Sequence, residues 1–179
     1  QGDVRGKMNI AADNKPDVRY IAWVKVGALA LEPGVHVFRF RFRGDPQNHG
    51  AIDCFCLSDD GFVPSGATKP GGSVTATKPA PAADAIWIEG ESCQDTTMKG
   101  HNWYDDVKKD VLSGGRWLSH YSGKAVGRAA YTFEALVADD YVFWLRANPQ
   151  RCGLDWRLDN GEWQTVDLVS DARGRMNIA

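Results

Sequence analysis

Apolar and polar residues alternate with a period of two along many short stretches of the chain, the pattern of strands with one buried face. From Trp87, the run Trp-Ile-Glu-Gly-Glu places Trp87, Glu89 and Glu91 on one face and Ile88 on the other. Residues 128–136 and 140–148 are rich in aromatic and β-branched side chains and read as two strands connected at Asp139-Asp140. Residues 154–158 and 162–168 flank Asp159-Asn160-Gly161, a strong hairpin signal because the centre of a tight hairpin needs positive φ. Further strands are expected at residues 20–26, at 51–57, and, past the turn Glu32-Pro33-Gly34, at 35–43. In that last run Val35, Val37, Arg39, Arg41 and Arg43 alternate with His36, Phe38, Phe40 and Phe42, which reads as a sheet with a dry Phe face and a wet Arg face. The pattern predicts an all-β fold, an antiparallel β-sandwich.

The order of these strands is unusual in two ways. Residues 3–11, DVRGKMNIA, recur as residues 171–179, DARGRMNIA, with seven of nine positions identical and an offset of 168. Residues 65–85, SGATKPGGSVTATKPAPAADA, have the Pro, Gly, Ser, Thr and Ala content of a linker. Residues 1–64 then read as the C-terminal part of a sandwich and residues 86–179 as the N-terminal part, in permuted order. Placing residues 12–64 after 86–179 makes 147 residues, an ordinary size for one domain. The parts are expected to complete one domain, either within a chain across a linker that extends on the order of 60 Å or between chains, head to tail.

Composition narrows the function. The 179 residues carry 21 Lys+Arg and 23 Asp+Glu, a net charge of −2, which removes the basic balance that nucleic acid demands. No apolar run approaches the roughly 18 residues of a membrane span, so no membrane insertion is expected, and the sequence opens without a signal peptide, so a secreted chain is expected already processed. Four cysteines are too few for a disulfide scaffold and lack zinc-ribbon spacing. Cys54 and Cys56 lie on the same strand face and cannot pair with each other. Either one of them bridges to another cysteine, Cys93 first, or the thiols are free and buried.

No nucleophile elbow, zinc-protease or phosphate-loop motif is present. The adjacent pairs Asp105-Asp106 and Asp139-Asp140 point apart on an extended chain, and a long-range acid pair would have to be of the kind of Asp155 with Asp167. No enzymatic activity is expected.

In permuted order the chain reads Glu89-x-Glu91, YTFEALVADDYVFWLRAN, LDNGEW, LEPGVHVFRFRF and GAIDCFCLSDD. Read so, it resembles non-catalytic carbohydrate-binding modules of families 6 and 35, galactose-binding-like jelly rolls, over nearly the whole spliced domain. The resemblance implies a jelly-roll sandwich and a structural Ca²⁺ held by Glu89, Glu91 and Asp53. Hard carboxylate oxygens suit that ion. It also implies a glycan site in the loops at one end of the sandwich, with Asn48 and His49 just before the last strand. The aromatics between the first strand and Arg128, namely Trp103, Tyr104, Trp117 and Tyr121, are the candidates for stacking on a sugar.

Two functions follow as expectations. One is an extracellular or cell-surface carbohydrate-binding or adhesive module of a tandem-repeat protein, with a polysaccharide or glycan as partner. The alternative is self-association, a structural subunit of a head-to-tail filament or ring whose half-domains complete one another between chains.

Overall fold

The computed structural model describes residues 8–9, 20–43, 48–58, 62, 64, 66–67, 69, 85–98, 107–122, 124–148 and 153–166, with backbone alone at 8, 9, 20, 48 and 49. The strands are β1 (Met8–Asn9), β2 (Tyr20–Leu31), β3 (Gly34–Arg43), β4 (Asn48–Ser58), β5 (Ile86–Glu89) and β6 (Asp95–Thr96). They continue with β7 (Leu118–Ser122), β8 (Gly127–Ala135), β9 (Asp139–Asn148), β10 (Gly153–Leu158) and β11 (Gln164–Thr165). Short 3₁₀ turns occupy Gly90–Ser92, Lys109–Val111 and Ser113–Gly115.

These strands build two antiparallel sheets. One runs β1-β2-β9-β4-β5, with β7 also paired to β4, and the other runs β11-β10-β3-β8-β6. Along β4, residues 48–52 pair with β7 and residues 54–57 with β5, so β5 and β7 lie end to end on the same side. The sandwich core between the sheets takes Phe38, Phe40 and Phe42 from β3, Phe55 from β4, Tyr131 from β8, Phe143 from β9 and Trp156 from β10. Their rings meet in edge-on and tilted contacts, such as Phe55 with Tyr131 at 5.0 Å and Phe143 with Trp156 at 5.2 Å between centroids. Such pairs each add about 0.5–1.5 kcal/mol beyond the area they bury. All three Phe side chains of β3 are fully buried while Arg39, Arg41 and Arg43 face outward, so the alternation seen in the sequence is the two faces of one strand.

The two sides of the linker-like stretch interleave. Among the described residues, six of the nine strand pairings join a strand before residue 65 to one after residue 85: β10 with β3, β2 with β9, β3 with β8, and β4 with β5, β7 and β9. Only β1 with β2, β10 with β11 and β6 with β8 stay on one side.

The six-stranded sheet buries its outer face as well. Trp23, Cys54, Cys56, Val142 and Trp144 form a second apolar layer there, covered by Phe62, Ala85 and Trp87. The described part of the linker-like stretch is tied to this face, with the Trp23 indole N–H donating to the Gly66 carbonyl at 2.8 Å and Lys69 paired to Glu89 at 2.9 Å. Cys54 and Cys56 belong to this outer layer, whereas Cys93 packs against the core between the sheets. The sheet itself separates them, so the expected bridge from Cys93 to Cys54 or Cys56 does not form and all three thiols are free. Cys152 lies outside the described residues.

The hairpin at Asp159 also differs in detail from its prediction. Asp159 takes the left-handed region with φ of 48° and Gly161 N–H donates to the Leu158 carbonyl at 2.9 Å, while β11 spans only two residues. Asp159 is fixed by side-chain work: Oδ1 accepts from Val37 N–H at 2.7 Å and Oδ2 faces His36 Nδ1 at 2.9 Å.

Candidate functional site

Strand β5 ends at Glu89, and Glu91 lies in the 3₁₀ turn that follows. Strand alternation therefore does not bring the two acids together. The turn Ser113–Gly115 does: a methyl group on Gly114, whose φ is +62°, would lie 2.9 Å from Glu91 Oε1 and 3.8 Å from Glu89 Oε2. Only a glycine tolerates both that backbone angle and that approach. Glu89 Oε1 accepts from the Trp87 indole N–H at 3.1 Å and pairs with Lys69. Glu89 Oε2 and Glu91 Oε2 are buried with no hydrogen-bond partner among the described residues. Burial first, and the neighbouring Glu89 charge second among the raising causes, lift the Glu91 carboxyl above its ordinary value.

Asp53 reaches the same turn from β4 but is committed elsewhere. Its Oδ1 accepts from Ser113 N–H at 2.9 Å, and its Oδ2 takes a 2.6 Å ion pair from Arg146 Nη1. Arg146 and Asp53 are 2% and 0% exposed, and the same Nη1 also donates to the Val111 carbonyl at 3.0 Å. Burial pushes the Asp53 carboxyl up to about 6 against the opposing pull of Arg146 and Ser113. The expected trio of Glu89, Glu91 and Asp53 thus divides into a pair with two orphaned oxygens and an acid already neutralised by a guanidinium. Among the described residues no group of three His, Cys, Asp or Glu side chains is spaced to hold a metal ion. Arg146 was the missing element. In the sequence it is one more outward-reading position in an aromatic strand, and nothing marks it as the partner of an acid 93 residues away.

The glycan-site candidates divide as well. In the ladder between β4 and β7, Asn48 stands opposite Ser122 and His49 opposite Tyr121. Asn48, His49 and Tyr121 therefore share one end of the six-stranded sheet, and Tyr121 is 51% exposed. Trp117 does not join them as a platform. It is 5% exposed and packs with Ile21, Ala51, Val107 and Leu112, so no ring face is open to a sugar. That cluster is separate from the core between the sheets. Trp103 and Tyr104 lie outside the described residues.

Sequence reasoning missed a polar network on the outer face of the five-stranded sheet. Asp155, 1% exposed, accepts from Arg41 Nε at 2.6 Å, from Arg43 through Nε and through Nη2 at 2.7 Å, and from Thr165 Oγ1 at 2.8 Å. Burial raises its carboxyl, but these donors outweigh it and hold it down at about 2. An acid so held is no general acid at neutral pH, so in a long-range pair with Asp167 it would have to be the ionised member. Asp167 lies outside the described residues. The Arg41 and Arg157 guanidinium groups lie 4.2 and 4.8 Å from the Trp163 ring centroid. The alternation of Arg with Phe was the one sequence signal of this layer.

The buried thiols are not nucleophiles at neutral pH. Burial, followed by the Asp53 charge, pushes Cys54 well up, and burial pushes Cys56 up to about 12. No helix among the described residues is long and apolar enough to cross a membrane. Compared with known families, curated proteins and solved structures, the chain matches none.

Proposed function

We propose that the chain is a non-catalytic, extracellular carbohydrate-binding or adhesive β-sandwich module supported by Ca²⁺. The observation that carries the reading is that Asn48, His49 and the half-exposed Tyr121 occupy ladder positions at one end of the six-stranded sheet. A half-exposed aromatic ring is the group that stacks on the C–H face of a pyranose, and amide and imidazole are residue types that bond its hydroxyls.

The Glu89 and Glu91 pair supports the Ca²⁺ part. Two carboxylates that repel each other, each with a buried orphaned oxygen, gain from a hard divalent cation that neutralises both. Glu89 and Glu91 would hold it, with backbone carbonyls or water completing the shell, and Asp53 stays with Arg146. Bound there, the ion would fasten β5 to the Ser113–Gly115 turn.

Glycan screening of the intact protein with and without Ca²⁺, followed by titration of any hit against Tyr121→Ala, tests the reading. Weak binding to a polysaccharide that Tyr121→Ala reduces about tenfold or more, the scale of a lost aromatic contact of about 1.5 kcal/mol, is expected. Absence of binding to neutral and acidic glycans alike would overturn it.

A second reading is favoured by the six cross-linker strand pairings. If the same pairings form between neighbouring chains, the protein is a structural subunit that assembles head to tail. Scattering mass across a concentration series separates the two: a 19.7 kDa particle throughout supports closure within a chain, and species that grow with concentration support exchange.

A further inference from the structure

The outer face of the five-stranded sheet gathers more arginine than its own acids answer. Alternation along β3 puts Arg39, Arg41 and Arg43 on that face. In the ladders Arg157 of β10 stands directly opposite Arg39, and Arg128 of β8 directly opposite Arg41. Side chains so placed have Cβ atoms about 5 Å apart, and like charges there are destabilising. An outward-facing strand position accepts almost any polar side chain, so two facing guanidinium pairs in the middle of one sheet are not a demand of the fold.

The nearby carboxylates do not cancel this charge. Asp155 is engaged by Arg41 Nε, Arg43 and Thr165, which leaves the terminal N–H groups of Arg41 to other acceptors. Asp159 turns its carboxylate to His36 and the Val37 N–H, and bonds Arg39 through its backbone carbonyl at 2.9 Å. Asp95 and Glu134 stand at the margins of the face, opposite Ala130 and Val35. Arg128 is exposed, and among the described residues its side chain meets no acceptor. Arg157 Nε is buried with no hydrogen-bond partner among the described residues. Trp163 braces the cluster without discharging it, with the Arg41 and Arg157 guanidinium centres 4.2 and 4.8 Å from its ring centroid.

We infer that this face is a docking surface for a sulfated polysaccharide, whose sulfate groups bridge the facing pairs Arg39 with Arg157 and Arg41 with Arg128. Charge complementarity calls for a polyanion, and the paired placement selects the anionic group. A carboxylate has two oxygens and matches one guanidinium fork, whereas a sulfate ester has three terminal oxygens and spans two forks. A nucleic-acid strand fits less well, because its bases need an aromatic ring to stack upon and Trp163 is already engaged by two guanidinium groups. The surface lies on the other sheet from Tyr121, so the inference goes beyond the proposed glycan site and is decided separately from it.

The test is titration of the intact protein at low salt with a heparin oligosaccharide, with polygalacturonate and with single-stranded DNA of matched charge. Wild type is compared with Arg128→Gln, Arg157→Gln and Lys25→Gln, and the Tm of each is measured alongside. Heparin should bind wild type with an affinity that falls as salt is raised. Each arginine variant should lose about tenfold or more, the scale of one charge-assisted contact. Lys25→Gln removes the same charge from the other sheet and should stay within about twofold of wild type. Arg128 is exposed, so Arg128→Gln carries the test even where Arg157→Gln lowers Tm. Absence of heparin binding, or a loss in Lys25→Gln equal to that in Arg128→Gln, would overturn the inference. Polygalacturonate or DNA binding as tightly as heparin would also overturn it, by assigning the face to carboxylates or to nucleic acid.

Discussion

Removing Asp53 leaves a guanidinium in the protein interior with no counter-charge. Arg146 is 2% exposed, and among the described residues its Nη1 would retain only the Val111 carbonyl at 3.0 Å, while Ser113 N–H would lose its acceptor. Breaking a buried ion pair from one side costs about 3–5 kcal/mol, which at this chain length lowers Tm by roughly 6–20 °C. Replacing both partners with apolar residues of similar volume removes the stranded charge, and such replacements are often neutral or even stabilising by about 1–4 kcal/mol. Urea denaturation followed by tryptophan fluorescence should thus show large losses for Asp53→Ala, Asp53→Leu and Arg146→Met, and a smaller loss for Asp53→Leu combined with Arg146→Met than for either of those two alone. The pair joins β4 to β9, strands from opposite sides of the linker-like stretch. A loss below about 1 kcal/mol for Asp53→Ala, or a double variant equal to the sum of the singles, would refute the reasoning, because coupled buried charges cannot be additive.

Gly90→Ala should cost about 2 kcal/mol or more on the same assay, since the new methyl would lie 2.9 Å from the Asp53 carbonyl oxygen and closer still to that of Ile52, both fixed in β4. Both His36 nitrogens face acceptors, Asp159 Oδ2 at 2.9 Å and the Glu32 carbonyl at 2.8 Å, so the ring makes both bonds only as the imidazolium, and the Asp159 bond raises its pKa. A raised folded value means that the stabilisation is complete below about pH 6.5 and is lost as pH rises through the folded pKa; urea midpoints of wild type should fall toward alkaline pH relative to His36→Gln, and parallel profiles would count against the charged ring. The Glu91 carboxyl is raised by burial and by Glu89, so in chelator its ionised form costs stability that is regained as pH falls toward the ordinary carboxylate range. Ca²⁺ should accordingly raise Tm in wild type and release protons at pH values where Glu91 is still partly protonated, seen by calorimetry in buffers of different ionisation enthalpy. Glu91→Gln should be more stable than wild type in chelator and lose the Ca²⁺ response.

What could be read beforehand is what depends on local periodicity. Phe38, Phe40 and Phe42 declare a buried face whatever packs upon it, and Asp159-Asn160-Gly161 declares a reversal because few residues tolerate positive φ. Placing Glu89 near Glu91 was legible too, although the cause proved to be the Gly114 approach rather than strand alternation. The claim on Asp53 was not legible in full, because its partner is chosen by which strands lie side by side. Arg146 reaches Asp53 only because β9 pairs with β4, and that pairing is a property of the whole sheet. Trp117 fails as a platform for a similar reason. An aromatic in an irregular stretch reads the same whether the stretch lies open or, as here, turns its ring onto Ile21 and Leu112.

The interleaving of the two sides sets how this fold can form. Strand β3 has β10 and β8 for neighbours and β9 has β2 and β4, so the centre of each sheet is built from strands that the linker-like stretch separates. Among the described residues, the pairing that stays before 65 is the two-residue one of β1 with β2, and those that stay after 85 are β10 with β11 and β6 with β8. A two-stranded ribbon is marginal at best in water, so neither side has a sheet on which to condense. Loop closure across the linker must come before most of the stabilising contacts, which makes folding slow and leaves open edges exposed meanwhile. Those are the conditions under which an equivalent segment from elsewhere can take a vacant edge. The order in which the strands are strung therefore bears directly on whether the sandwich completes itself or completes a neighbour.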